Sequence, residues 1–245
     1  MTQARFSGGL ELGMWFLCVV IAVSVVAIML LTLKSEVYDI LIVRMTARWY
    51  KAVLHRLEPG SRLFDVGIGT ATALARNADM VHEKKLTIVG IDYEEQYIAK
   101  AAVVAKNANL QNQLVLHCKS IYDPELPKLF TGDARFDAAY FSGSLTLMPD
   151  PPNALRVAAS MLHEDGLVYI TQTFQNRPSP FMERIKPLLK YVTSVDFGKV
   201  TYRSELQEIS EAAGMEILED RPVPGCIDTA AQTARLLVLK SKKQK

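Results

Sequence analysis

The sequence predicts an α/β fold, a doubly wound and mostly parallel sheet of seven strands whose last strand runs antiparallel, preceded by an N-terminal transmembrane helix. Three observations carry this expectation. Apolar runs of strand length alternate with stretches of helix length through most of residues 58–245. The last two runs are joined by a Pro- and Gly-containing segment, Asp220 to Thr233, too short for a crossover helix, so they pair antiparallel. Leu12 to Leu33 is a run of 22 residues without a charge, about 33 Å as a helix against a bilayer core of roughly 30 Å.

The run at residues 12–33 is longer than a signal-peptide core, has no small-x-small cleavage pattern after it and lacks the polar stripe of a soluble helix, so residues 1–34 are read as a retained single-pass anchor. Arg5 precedes the span, whereas Lys34, Arg44, Arg48, Lys51 and Arg56 follow it, which places the body on the cytosolic side of a membrane. Residues 35–57 read as an amphipathic juxtamembrane helix with Val37, Leu41, Met45 and Ala52 near one face and Trp49 and Tyr50 as interfacial rings. A second reading makes this stretch the first helix of the globular domain, packed on the sheet over a ligand. The two are compatible.

Residues 58–245 form one domain. Arg62 to Val66 is the first strand, followed by a glycine turn and an alanine-rich helix to about Met80. Leu86 to Ile91, Leu114 to Cys118 and Phe136 to Phe141 are strands, with a helix at Glu95 to Asn107. Pro152 to His163 starts with proline in its first turn, as a helix permits. Gly166 to Thr173 is a strand rich in β-branched and aromatic residues. Phe181 to Tyr191 is a helix interrupted at Pro187, Ser204 to Ala213 a helix closed by Gly214, and Met215 to Asp220 and Ala234 to Leu239 the closing strands.

Composition excludes several classes. The chain is 49% hydrophobic and 22% charged, so it is neither disordered nor fibrous. Residues 1–57 carry 6 Lys and Arg against 3 acids, and residues 58–245 carry 22 against 23. A body this close to neutral, without a basic stripe, argues against nucleic acid as a partner. Cys18, Cys118 and Cys226 are far apart, with no CxxC, so neither a disulfide framework nor a metal site is expected.

The segment Leu63-Phe64-Asp65-Val66-Gly67-Ile68-Gly69-Thr70-Ala71 places an acid at a strand end and two glycines in the turn that opens a helix. A phosphate-binding GxxxxGK[ST] loop is absent, and a dinucleotide GxGxxG would need glycine where Thr72 stands. Spaced as (D/E)xGxGx(G/A), the turn resembles motif I of the class I S-adenosylmethionine-dependent methyltransferases. The resemblance extends over roughly residues 58–239 and implies a Rossmann-like sheet, with S-adenosyl-L-methionine as cofactor. By that resemblance Asp65 serves the cofactor's methionine end, and Gly67 and Gly69 let the chain pass beneath it. Asp92, after the second strand, has two oxygens for the ribose hydroxyls, and Tyr93 follows it. Ser120 and Ile121 stand at the adenine, Ser120 replacing an expected Asp, and Ser142 lies on the loop after the fourth strand. Leu162-His163-Glu164-Asp165-Gly166 stands where the family has an LxPGG-type turn.

Methyl transfer requires positioning above all, and a base only where the acceptor must lose a proton. Asp150, His163 and Tyr140 are candidates at strand ends, and no pairing singles one out, so no catalytic residue is assigned. A tether raises the effective concentration of bilayer substrates, so the expected acceptor is a hydrophobic small molecule or lipid, with residues 174–202 as a candidate lid. Two alternatives stand beside this: a non-catalytic methyltransferase-like subunit or assembly factor of a membrane complex, motivated by Ala71 and Ser120, and a protein methyltransferase.

Overall fold

The computed structural model describes residues 42–130, 134–185 and 200–242. The apolar run Leu12–Leu33 lies outside them, and among the described residues no helix is long and apolar enough to cross a membrane.

Seven strands form one sheet: β1 (Arg62–Val66), β2 (Thr87–Asp92), β3 (Leu114–Cys118), β4 (Phe136–Ser142), β5 (Leu162–Gln175), β6 (Met215–Pro222) and β7 (Gln232–Ser241), in the order β3-β2-β1-β4-β5-β7-β6. The first five pair in parallel, and β7 runs antiparallel to both β5 and β6, as the short Pro- and Gly-bearing connection requires. Alternate residues of the strands feed two cores. Leu63, Ile88, Tyr140 and Val238 face one side, and Phe64, Val89, Phe141 and Leu237 the other. The first core is covered by α1 (residues 42–54), α2 (Thr72–Ala75), α3 (Ala78–Glu83) and α4 (Glu95–Asn107); the second by α5 (Pro151–Ser160) and α7 (Arg203–Ala212), with α6 (Pro180–Ile185) beyond β5. A helical layer on each face is the doubly wound arrangement that alternation predicts.

Three local expectations are corrected. The single helix to Met80 is two short ones: Asn77 ends the first and directs its amide to Ala73 O and Ala47 O, both at 3.0 Å, so the side chain competes with the helical ladder and ties it to α1. Strand β5 begins at Leu162 rather than Gly166, because its register against β4 jumps from Phe136–Leu162 to Ala138–Leu167 and so accommodates extra residues. Trp49 and Tyr50 are not interfacial rings: at 4% and 3% exposure they belong to the first core.

The helix α1 is therefore part of the globular body over its described length. Its inner face, with Val53 and Leu54, packs on the sheet, and its exposed positions are Arg44, Arg48 and Lys51. Lys84 Nζ donates to the carbonyls of Leu54, His55 and Leu57 at 3.0, 2.8 and 2.6 Å, placing a cation on the helix C-terminus. Arg56 grips Glu219 through two bonds of 2.7 and 2.8 Å. These ties hold the C-terminal end of α1 beside the amino end of β2 and against β6, while Tyr50, earlier in α1, reaches Asp65 near the carboxyl end of β1.

Candidate cofactor site

The strand tips of β1 and β2 bring two acids to one face of the sheet. Asp65 is in register with Gly90, so Asp92, two residues further along β2, shares its face. Between them runs the turn with Gly67 at φ +76°, Gly69 at +58° and Ala71 at +55°. The two glycines are required for different reasons. A Cβ on Gly67 would lie 2.7 Å from Ser144 Cβ, so this glycine admits the loop after β4, whose Ser144 Oγ donates to Val66 O at 2.5 Å. A Cβ on Gly69 would meet nothing within 4 Å: its surroundings are open, which is what a closely approaching ligand needs. Gly90 is a third close approach missed in sequence: a Cβ there would lie 2.5 Å from Ile68 Cδ1, so the Ile68 side chain would have to move.

Asp92 ties the turn together. Its Oδ2 accepts from Gly69 N and its Oδ1 from Glu94 N, each at 3.0 Å. A carboxylate accepts about four hydrogen bonds, so both oxygens retain capacity for hydroxyl donors. Asp65 differs. It is 0% exposed, Tyr50 Oη donates to its Oδ2 at 2.8 Å, and its buried Oδ1 has no partner among the described residues. Burial pushes its carboxyl up to about 7; the Tyr50 bond opposes this, and the Asp92 charge adds to it. Tyr50 itself is raised well above the usual phenol range by burial and then by Asp65, so it is a neutral donor. Its ring stands edge-on to Tyr140, centroids 5.0 Å apart at 90°.

The remaining expected residues are more scattered. Tyr93 is 77% exposed, with its ring outside the core. Ser120 Oγ accepts from Tyr122 N at 3.2 Å, and Ile121 is buried in the second core beside Val89 and Ile91. Ser142 ends β4, with its hydroxyl against Tyr140.

The base candidates separate from one another. Asp150 caps α5, its Oδ1 accepting from Asn153 N at 3.1 Å. His163 lies at the amino end of β5, whereas Asp65 and Asp92 lie at carboxyl ends, so it is across the sheet from the turn. Tyr140 is buried, bonded to Thr171 Oγ1 at 2.7 Å and shifted upward by burial, which makes it a poor proton acceptor at neutral pH. Residues 186–199 of the candidate lid lie outside the described residues.

A family model described as a methyltransferase domain matches residues 57–216, well over half of the chain. The chain belongs to that family. Among curated relatives of this methyltransferase-domain protein, O-methyltransferase cnsE of Penicillium expansum is 26% identical over 188 residues, 76% of this chain and 62% of the relative. The 27-O-demethylrifamycin SV methyltransferase of Amycolatopsis mediterranei (strain S699) is 28% identical over 165 residues, 65% of this chain and 56% of the relative. The chain thus spans under two thirds of the length of these relatives. Among solved structures the fold is shared with the [4+2]-cyclase SpnF, at TM-score 0.60, 21% identity and coverage of 80% of this chain and 81% of that one. It is also shared with a methyltransferase from Geobacter sulfurreducens in complex with S-adenosyl-L-homocysteine, at TM-score 0.55, 13% identity and coverage of 80% and 90%.

The donor set fits S-adenosylmethionine: an open approach at Gly69, an unpartnered buried carboxylate oxygen suited to a cation, and a second carboxylate with capacity for hydroxyls. The signal missed in the sequence is Tyr50, because nothing local links it to an acid 15 residues later.

Proposed function

We propose that this protein is an S-adenosylmethionine-dependent methyltransferase that methylates an oxygen of a hydrophobic small molecule or lipid at a membrane surface, with its body on the cytosolic side. The observation that carries the reading is the convergence of Asp65, Gly69 and Asp92 at one strand edge beneath α1. Asp65 would receive the ammonium of the cofactor, Gly69 its close approach, Asp92 the ribose hydroxyls, and Ile121 and Ser120 the region of the adenine. When bound, S-adenosylmethionine supplies an electrophilic methyl group on a cationic sulfur. The chain's own contribution is alignment of the acceptor and exclusion of water, worth roughly 7–11 kcal/mol at best.

The oxygen acceptor is supported by the names of the two curated relatives, one an O-methyltransferase and the other a 27-O-demethylrifamycin SV methyltransferase. The membrane is supported by the charge-free run Leu12–Leu33 and by α1. Tyr50, which touches Asp65, is 17 residues beyond Leu33, at most about 60 Å of extended chain and about 25 Å if helical. The strand tips are thereby tethered near the bilayer. The exposed positions of α1, Arg44, Arg48 and Lys51, would meet anionic headgroups.

Incubating the full chain in membranes with methyl-labelled S-adenosylmethionine and partitioning the products tests this. Label in the organic phase, released by treatments that cleave methyl esters or ethers, is the expected result. Label confined to protein would replace the acceptor by a polypeptide. Absence of label together with absence of S-adenosylhomocysteine binding would leave a methyltransferase-like subunit.

A further inference from the structure

One buried contact in this site is accounted for by none of its sequence motifs. Tyr50 arrives from α1, and its hydroxyl donates to Asp65 Oδ2 at 2.8 Å. The ring is held by Tyr140, edge to face, and Tyr140 is in turn bonded to Thr171 at 2.7 Å, so the hydroxyl is delivered by a fixed buried stack spanning α1, β4 and β5. The groups facing Asp65 are Tyr50 from α1, Tyr140 from β4 and Asp92 from β2: two neutral phenols and an acid. Among the described residues no cation compensates this wholly buried carboxylate, and one of its oxygens has no partner. A buried charge left so is costly, and the chemistry that relieves it is a positive group with N–H donors.

We propose that Tyr50 is a positioning residue of the methyl-donor site, holding Asp65 through Oδ2 so that Oδ1 receives the ammonium group of the donor. This rests on the reading that the site takes S-adenosylmethionine. It makes binding a proton-linked event. With its carboxyl near 7, Asp65 is protonated in a substantial share of free molecules at neutral pH. An ammonium beside Oδ1 stabilises the anion, and the displaced proton leaves to solvent. Affinity therefore rises with pH through the carboxyl's titration and levels off above it. Removing the Tyr50 hydroxyl takes away the one bond among the described residues that favours the anion, so the titration moves to higher pH.

The test is calorimetry of S-adenosylhomocysteine, which keeps the ammonium, on the full chain in detergent micelles between pH 6 and 8.5, in buffers of different ionisation enthalpy. The wild type is expected to release protons on binding, with the affinity profile breaking near pH 7. For a break raised by about one pH unit, Tyr50→Phe is expected to bind about fivefold more weakly at pH 7 and close to tenfold more weakly at pH 6, with the deficit shrinking toward pH 8.5. Ser210→Ala, which removes a buried bond to Leu206 O in α7 on the other face of the sheet, is expected to lower the melting temperature and leave the break in place. A Tyr50→Phe deficit that is equal at every pH, or no deficit, overturns the proposal. So does proton-neutral binding by the wild type, a result available even if the variant does not fold. No binding by the wild type at any pH would instead remove the cofactor reading itself.

Discussion

At the tip of β2, Asp92 is held by two backbone amides, one from the glycine turn and one from the residue opening the next helix. At the tip of β1, on the same face, Asp65 is held by a single phenol from a helix that precedes the strand, and its second oxygen has no partner among the described residues. Both acids end parallel strands of one sheet, yet one is integrated into its own loop and the other is an electrostatic demand that the described residues leave unmet. A backbone-bonded acid serves the fold whether or not a ligand arrives, whereas a buried acid with one neutral donor is costly as an anion, a cost that a proton or a cation relieves. Pre-organisation for a positive ligand is the physical meaning of that difference.

Substituting both acids is the strongest way to break the comparison. Asp65→Asn should lower S-adenosylhomocysteine affinity by at least a hundredfold, about 3 kcal/mol, while stabilising the free protein. The sign follows from the raised carboxyl: its folded value of about 7 lies above the ordinary 3.8. The penalty is therefore absent below about pH 4, grows as pH rises and is complete above about 7, on the order of 4 kcal/mol. Thermal unfolding of the variant against the wild type at pH 4 and pH 8 reads this directly. A variant less stable than the wild type by the same margin at both would show that Asp65 is an ordinary structural acid.

The glycines sharpen the contrast. Gly67→Ala meets Ser144 at 2.7 Å in a left-handed backbone and should cost about 2–4 kcal/mol of stability. Gly69→Ala has open space and should cost only about 1 kcal/mol while impairing cofactor binding. Chemical denaturation and calorimetry on the pair would separate a folding glycine from a binding one, and equal denaturation midpoints would contradict that assignment. Asp92→Ala deletes two hydrogen bonds, about 1–3 kcal/mol in total, and loosens the turn, so stability and affinity should fall together. The smallest effect belongs to Ala71→Gly. Relief of the +55° backbone angle, worth about 1 kcal/mol, is offset by loss of a buried methyl worth about 0.8 kcal/mol, so the melting temperature should move by no more than a few degrees.

Much of this was readable from local pattern. The strand–turn–helix around Gly67 and Gly69, the acid closing β2 and the antiparallel pairing of β6 with β7 follow from short-range spacing and turn chemistry. What was misread shares one cause, long-range contact. Trp49 and Tyr50 have the composition of interfacial rings, and only the docking of α1 on the sheet turns them inward. Asn77 looks like an ordinary position in an alanine-rich helix until the Ala47 carbonyl is placed within its reach. His163 looks like a strand-end base until the register puts it at the far edge.

By itself the sequence determined the alternation of elements, the reversed final strand and the two acids with their glycine turn, because periodicity, turn propensity and charge act over a few residues. Only the tertiary structure decided what those acids experience. Depth of burial, the approach of Tyr50 and the lack of a compensating cation among the described residues are properties of how α1 lies across β1 and β4, and a carboxyl's charge is set by its solvation and neighbours rather than by its place in the chain.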